Sequence, residues 1–354
     1  KQGKGFFHIG ASGHEAVQVA AANSMNNKQD YAYPYYRNQA FCLAYGMTSK
    51  DMLLSFLAKE DDPNSGGRQM PQHFSHKKLK IVSQSSPTGT QYLQATGVGF
   101  ALQRNKDRGA VYVSSGEGTT SQGDFHEALN WASRVKAPVI FHIENNGYAI
   151  SVPIKDQTAG ASVYKISSGY ENLHRLKIDG TDYFESLMAF KVAVDRARKG
   201  LGPTLIESVV VRLLPHSSSD DHRKYRTKDE IDKDKENDPI QKFKNECLNV
   251  GIIKTLDFEK IEKNIIDEIN DDTLWAETQA DPNDPMANLY VQENAFNSTL
   301  NPLENDIVLV DAINHALSEE LEYNDKMILY GQDIADGKGG VFTATKGLSN
   351  KYGK

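Results

Sequence analysis

The chain runs Ala110-Val111-Tyr112-Val113-Ser114-Ser115-Gly116-Glu117-Gly118, continues for 26 residues, and then reads Asn145-Asn146-Gly147-Tyr148. Each half is introduced by a strand-like run, 110–113 in the first case and Pro138-Val139-Ile140-Phe141-His142-Ile143 in the second. Between them Phe125, Ala128, Leu129, Ala132 and Val135 recur at helical spacing. Strand, glycine turn, helix and strand make one βαβ unit. Its parallel strands end on the same sheet edge, so Glu117 and Asn146 are expected side by side. A carboxylate and a carboxamide oxygen at that edge suit Mg²⁺, which takes octahedral oxygen ligands and shares them with phosphates. Gly116 and Gly118 let the backbone approach a diphosphate with no Cβ in the way. The plainer alternative is an ordinary βαβ turn with helix-capping asparagines, and a lone Gly-x-Gly would favour it. Spacing, flanking strands and the asparagine pair together favour the diphosphate site. A nucleotide-type phosphate loop would need a lysine after the turn, and none follows.

Outward from this unit the pattern stays α/β. His14-Glu15 starts an alanine-rich helix ending near Asn26, with His14 and Glu15 read as capping chemistry at the pocket mouth. Tyr31 to Arg37 is dense in aromatics, 51–57 reads as a short helix, and 60–77 as a loop. Thr90 to Arg104 is helical, with Ala95 and Gly99 small enough for close packing on a sheet. A strand at 176–178, a helix from about 181 to 200 and a β-branched strand at 204–213 follow. Strands alternating with helices predict an α/β fold, mainly parallel, with helices on both faces. Beyond Tyr225 the chain turns charged (227–238), then amphipathic (239–250 and 257–270), then polar and proline-spotted (278–304), a linker. Leu309, Ile313, Leu317 and Leu321 open a new unit, with a strand expected at Met327–Tyr330.

A length of 354 residues allows two domains, and a net charge of −7 argues against general nucleic-acid binding. The basic cluster Lys77, Lys78, Lys80 reads as a solvated loop. Cys42 and Cys247 form neither a metal cluster nor a disulfide framework and suit a reducing compartment, so a cytoplasmic location is expected. No apolar run approaches membrane-spanning length and no signal peptide opens the chain. The chain starts at Lys1 rather than Met, so an upstream segment is expected to be missing.

Several stretches together resemble the thiamine-diphosphate-dependent component of the 2-oxo acid dehydrogenase complexes, most closely the branched-chain type. They are Gly67-Arg68-Gln69-Met70-Pro71, Ser85-Ser86-Pro87, Gly116-Glu117-Gly118, Asn145 to Ser151, and His216-Ser217-Ser218-Ser219-Asp220-Asp221 with Tyr225-Arg226. They span about residues 5–235 and resemble the α subunit of that family. The usual motif has Asp where this chain has Glu117, and branched-chain members share the Glu. Residues 306–354, with Gly331-Gln332-Asp333 and Gly339-Gly340-Val341-Phe342, look like the start of the β subunit.

That resemblance implies a thiamine diphosphate-binding fold over 1–235, a helical extension and linker over 236–304, and a truncated second α/β domain over 305–354. It implies Mg²⁺ held by Glu117, Asn146 and the Tyr148 carbonyl, and the diphosphate contacted by Arg37 of the Tyr36-Arg37 pair through its planar guanidinium. His216 would lie over the diphosphate and the reacting centre as the catalytic residue; read alone, it is a solvated loop histidine. Ser86 and Thr88 would line the thiazolium pocket, and Ser85, Pro87, Thr90 and Gln91 a K⁺-type site. Ser217 matches a serine phosphorylated in mitochondrial members, where a phosphate would place roughly −1.5 to −2 charges beside the cofactor. Glu144 departs from branched-chain relatives, which carry an arginine there, and so weakens one cofactor contact; His142 reads as a core or strand-edge residue. The implied reaction is oxidative decarboxylation of a 2-oxo acid, with acyl transfer to the lipoyl arm of a partner acyltransferase. The alternatives are a pyruvate or acetoin enzyme of the same family and a non-catalytic cofactor-binding subunit. The implied assembly is a homodimer or α2β2 arrangement. The glutamate that protonates the aminopyrimidine belongs to the β part beyond Lys354, so this polypeptide is expected not to turn over alone.

Overall fold

The computed structural model describes residues 4–284, 286, 289–290 and 306–353. The chain divides into two compact units, Lys1–Ala287 and Asn288–Lys354. Most of the far half of the expected 278–304 linker lies outside the described residues.

The first unit is built on a five-stranded sheet, parallel throughout. Its strands are β1 (Tyr31–Tyr33), β2 (Val111–Gly116), β3 (Val139–Asn145), β6 (His174–Asp179) and β7 (Thr204–Val209), in the order β1-β2-β3-β7-β6. A two-stranded hairpin, β4 (Tyr148–Ala149) and β5 (Val152–Pro153), follows β3 directly. The helices before the hairpin are α1 (Glu15–Asn23), α2 (Gln39–Tyr45), α3 (Ser49–Phe56), α4 (Gln91–Arg104) and α5 (Gly123–Val135). After it come the single turns α6 (Ile154–Gln157) and α7 (Val163–Ile166), then α8 (Tyr183–Arg198), α9 (Lys228–Glu236), α10 (Pro239–Asn249) and α11 (Thr255–Glu277).

Alternation along the strands assigns each face its helices. Tyr112, Ile140 and Ile206 point to one face and pack with Val17 and Ala21 of α1, Phe41 and Tyr45 of α2, and Phe190 and Ala193 of α8. Val111, Val113, Val139, Phe141 and Leu205 point to the other, against Tyr92 and Ala95 of α4 and Phe125, Ala128, Leu129 and Ala132 of α5. Both faces are buried, so the strands read as continuous apolar runs rather than alternating ones. The chain leaves β3, crosses to the sheet edge at β6, and returns to insert β7 beside β3. Loops from the carboxyl ends of β1, β2, β3 and β7 therefore gather on one edge, where such sheets bind ligands.

Several expectations need correction. Tyr31–Tyr33 is a sheet strand, paired with Val111–Val113; three residues are too few to display a period. β7 stops at Val209 rather than Leu213. Val210 still donates to the Asn145 carbonyl (2.9 Å), after which the chain bends away from the sheet. The charged run past Tyr225 is helix α9, opened by a capping box of Thr227 and Glu230. Helix α11 extends to Glu277, past the expected end near 270, and its Asp272 turns inward to the Ser49 hydroxyl and lies 3.7 Å from Lys50 Nζ. No strand forms at 327–330: a strand needs a partner, and the described residues of the second unit contain none. That unit holds α12 (Leu309–Tyr323) and α13 (Leu348–Tyr352). Among the described residues no helix is long and apolar enough to cross a membrane.

Gly99 shows how closely α4 sits on the sheet: a Cβ there would come 2.7 Å from Val139 Cγ2. Gly97, on the same helix, would meet nothing within 4 Å. Gly99→Val should therefore lower the unfolding free energy measured by urea titration, by about 1–3 kcal/mol of overpacking strain. Gly97→Ala should be neutral or raise it by up to about 1 kcal/mol.

Candidate active site

A cleft of about 290 Å³ opens at the carboxyl edge, lined by Tyr35, Tyr36, Arg37, Thr88, Gly116, Glu117, Gly118, Thr119, Asn146, Tyr148, Ala149, Ile150 and His216. Five segments supply it, Thr88 lying on the stretch before α4. Tyr36 and Arg37 follow β1, Glu117 is the first residue after β2, and Asn146 the first after β3. His216 lies on the segment leading away from β7. Register brings the central pair together: Gly116 is opposite Glu144, so Glu117 comes level with Asn145 and one residue from Asn146. The Asn146 amide donates to Glu117 Oε2 at 3.3 Å. A Cβ on Gly118 would meet Ala149 Cβ at 2.7 Å, so only glycine lets the hairpin close over this turn.

Glu117 is 1% exposed, and its Oε1 has no hydrogen-bond partner among the described residues. Burial raises its carboxyl above the ordinary glutamate value, against the opposing pull of its backbone hydrogen bonds and of Arg212 and Arg37. A buried carboxylate oxygen with no donor costs free energy unless a cation meets it. Asn146 turns its Oδ1 to the Tyr148 amide at 3.2 Å, which draws the Tyr148 backbone towards the same spot. An acid oxygen and an amide oxygen are hard, oxygen-only donors of the kind Mg²⁺ takes. Asn145 has a different task, donating to Glu207 Oε1 at 2.7 Å and accepting from the Gly147 amide at 3.0 Å.

The other wall is positive. Arg37, 2% exposed, donates to the Gly10 carbonyl (2.5 Å) and to His216 Nδ1 (3.3 Å), and among the described residues its Nε has no partner. A guanidinium can only donate, so Nδ1 of His216 is the acceptor and the ring proton sits on Nε2. Burial, then Arg37 and Arg212, hold His216 down to about 4, and the ring is neutral at neutral pH. Its loop is braced by the His216 amide to Asp220 (2.8 Å) and by Tyr225 to the same carboxylate (2.5 Å). Ser217 follows, 9% exposed, its hydroxyl 3.0 Å from that of Ser219.

Arg212 is a functional residue that the sequence expectations do not include. It stands behind the cleft wall, donating to the Ile150 carbonyl (3.0 Å) and the Tyr225 hydroxyl (2.9 Å), 5.8 Å from the Tyr148 ring centroid. An arginine straight after a β-branched run was the available signal, but the strand was expected to run through it.

Other expected residues fall elsewhere. Ser86 is not among the residues lining the cleft; it is exposed, and its hydroxyl meets His73 Nε2 at 2.5 Å. The oxygens expected to take K⁺ satisfy one another: the Ser85 and Thr90 hydroxyls both donate to the Pro87 carbonyl, and Gln91 Oε1 accepts from Gly89. His14 makes no side-chain cap and is buried, 2.6 Å from Glu144. His142 is buried between the Tyr112 (2.9 Å) and Ser208 (3.0 Å) hydroxyls. Glu144 does not face the cleft; it lies beneath it, fully buried. Burial alone would raise its carboxyl, but the hydrogen bonds from His14 and Gln18 and the nearby His142 outweigh this and hold it down to about 2.

Comparison with known proteins adds the family. The chain is 44% identical over 269 residues to the 2-oxoisovalerate dehydrogenase subunit alpha of Bacillus subtilis, covering 76% of this chain and 80% of that one. It is 37% identical over 259 residues to the mitochondrial 2-oxoisovalerate dehydrogenase subunit alpha of Caenorhabditis elegans, covering 71% of this chain and 58% of the relative. It is 34% identical over 282 residues to the pyruvate dehydrogenase E1 component subunit alpha of Staphylococcus aureus, covering 79% and 72%. Residues 1–284 match the dehydrogenase E1 component as a family. With the match running across the whole parallel-sheet unit and every loop of the cleft, the chain belongs to the dehydrogenase E1 component family.

Proposed function

We propose that this chain is the α-type part of a thiamine-diphosphate-dependent 2-oxo acid dehydrogenase. It would act on branched-chain 2-oxo acids of the 3-methyl-2-oxobutanoate kind and pass the acyl group to the lipoyl arm of a partner acyltransferase. The observation that carries this is Glu117 Oε1, buried and unpartnered beside Asn146, with Arg37 and His216 in the same cleft. The substrate class is supported by the Bacillus subtilis relative, whose identity of 44% exceeds the 34% of the Staphylococcus aureus pyruvate enzyme.

In this reading Glu117, Asn146 Oδ1 and the Tyr148 carbonyl hold Mg²⁺, and Arg37 binds the diphosphate, its planar fork matching phosphate oxygens. Bound there, thiamine diphosphate supplies the electron sink for decarboxylation. The protein's own part is positional. Neutral His216 presents Nε2–H as a donor to an anionic oxygen without bringing a second positive charge beside Arg37. The buried Tyr35, with the partly buried Tyr36 beside it, excludes water from the base of the cleft. The pyrimidine end would be completed by β-type sequence, and residues 305–354, outside the family match, are assigned to its start.

Three measurements test this. Glu117→Gln should weaken Mg²⁺-dependent thiamine diphosphate binding by more than about tenfold in calorimetry; unchanged affinity would remove Glu117 as a ligand. Because burial raises the Glu117 carboxyl, Mg²⁺ must displace a proton at a pH above the usual glutamate range. Affinity should therefore fall as pH drops from 7 towards 5, with proton release visible as a buffer-dependent binding enthalpy. Combined with β-type sequence and a lipoyl acceptor, the chain should turn over 3-methyl-2-oxobutanoate in preference to pyruvate. The opposite preference would move the substrate assignment to the pyruvate type while leaving the cofactor site intact.

A further inference from the structure

We infer that Glu144, which does not line the cleft, is the positioning residue for its anion-binding wall. It acts through Tyr35 and Asn38 to set the turn that presents Tyr36 and Arg37. This rests on the proposed diphosphate site and deepens it.

The carboxylate of Glu144 accepts four hydrogen bonds, all from side chains on two other segments. Asn38 Nδ2 reaches Oε1 at 2.5 Å, and the Tyr35 hydroxyl reaches Oε2 at 3.1 Å. These two residues bracket Tyr36-Arg37, one on each side. From α1, His14 Nδ1 (2.6 Å) and Gln18 Nε2 (2.9 Å) reach the same Oε2. Gln18 braces the turn a second time, donating to the Arg37 carbonyl (3.1 Å) and accepting from the Ala40 amide (3.2 Å). Glu144 itself belongs to β3, two residues before Asn146. One side chain thus ties the loop carrying the diphosphate-binding arginine to the strand end carrying the metal ligand. A carboxylate suits this place because it is acceptor-only, and every partner reaching it donates. A glutamine would have to turn an NH₂ towards one of those donors, leaving buried groups unpaired.

The test uses magnesium pyrophosphate, which probes the anchored end alone, titrated calorimetrically into the full chain. Glu144→Gln should weaken binding by about tenfold. In an Arg37→Ala background the same substitution should change affinity by less than about twofold, because the residue through which it acts is gone. A merely structural residue would give an additive loss in both backgrounds. Should Glu144→Gln fail to fold, Tyr35→Phe removes a single hydroxyl from the cluster. It should cost a smaller factor, which again vanishes in the Arg37→Ala background. Additive effects, or a lowered Tm with unchanged affinity, would overturn the inference and leave the diphosphate site standing. No pyrophosphate binding by the unaltered chain would overturn both.

Discussion

The parallel register of β2 on β3 is the constraint on which the rest depends. Pairing Gly116 with Glu144 brings Glu117 level with Asn145, one residue short of Asn146, the first residue past β3. A slip of one residue would reverse every side chain on β3 between the two sheet faces and move Asn146 out of reach of Glu117. Burial on both faces prevents it. Val139, Phe141 and Ile143 pack against the α4–α5 side, Ile140 against the α1–α8 side, and neither set could exchange places without losing its layer.

The cleft keeps charges of both signs at short range on side chains that are themselves buried. Glu117 provides an unmet negative oxygen; Arg37 is an unmet cation, and among the described residues it makes no carboxylate contact. Such an arrangement is costly in isolation and becomes favourable when a divalent cation and a polyanion enter together. The same field explains the histidines: Arg37 adds to burial in depressing both His216 and His8, so neither adds positive charge at neutral pH.

Beneath the cleft lies a second polar layer whose hydrogen bonds are made within the protein. Glu144 and Glu207, one on β3 and one on β7, are both fully buried. Glu207 gathers Asn145, Ser162 and the Tyr164 amide, as Glu144 gathers His14, Gln18, Tyr35 and Asn38. These carboxylates fix backbone that would otherwise be loop, so the cleft residues hold their geometry on rigid supports rather than on mobile chain.

The spacing of Gly116-Glu117-Gly118 and Asn145-Asn146, with apolar strands before each and a helix period between, determined the βαβ unit, the shared sheet edge and the Glu117–Asn146 pair. Local periodicity was enough for these, because each element is long and its neighbours lie within one short crossover. Only the tertiary structure decided what Glu144, His14 and Arg212 do. Glu144 reads in sequence as a lost cofactor contact and His14 as a cap, yet they meet across 130 residues of chain in the interior. Arg212 was hidden in an apparent strand, because where β7 leaves the sheet depends on which neighbour it still pairs with. The strand expected at 327–330 failed for the converse reason: a β segment is defined by a partner, and no local pattern supplies one. Period and spacing fix which edge a side chain occupies, whereas hydrogen-bond partners distant in sequence fix what that side chain is for.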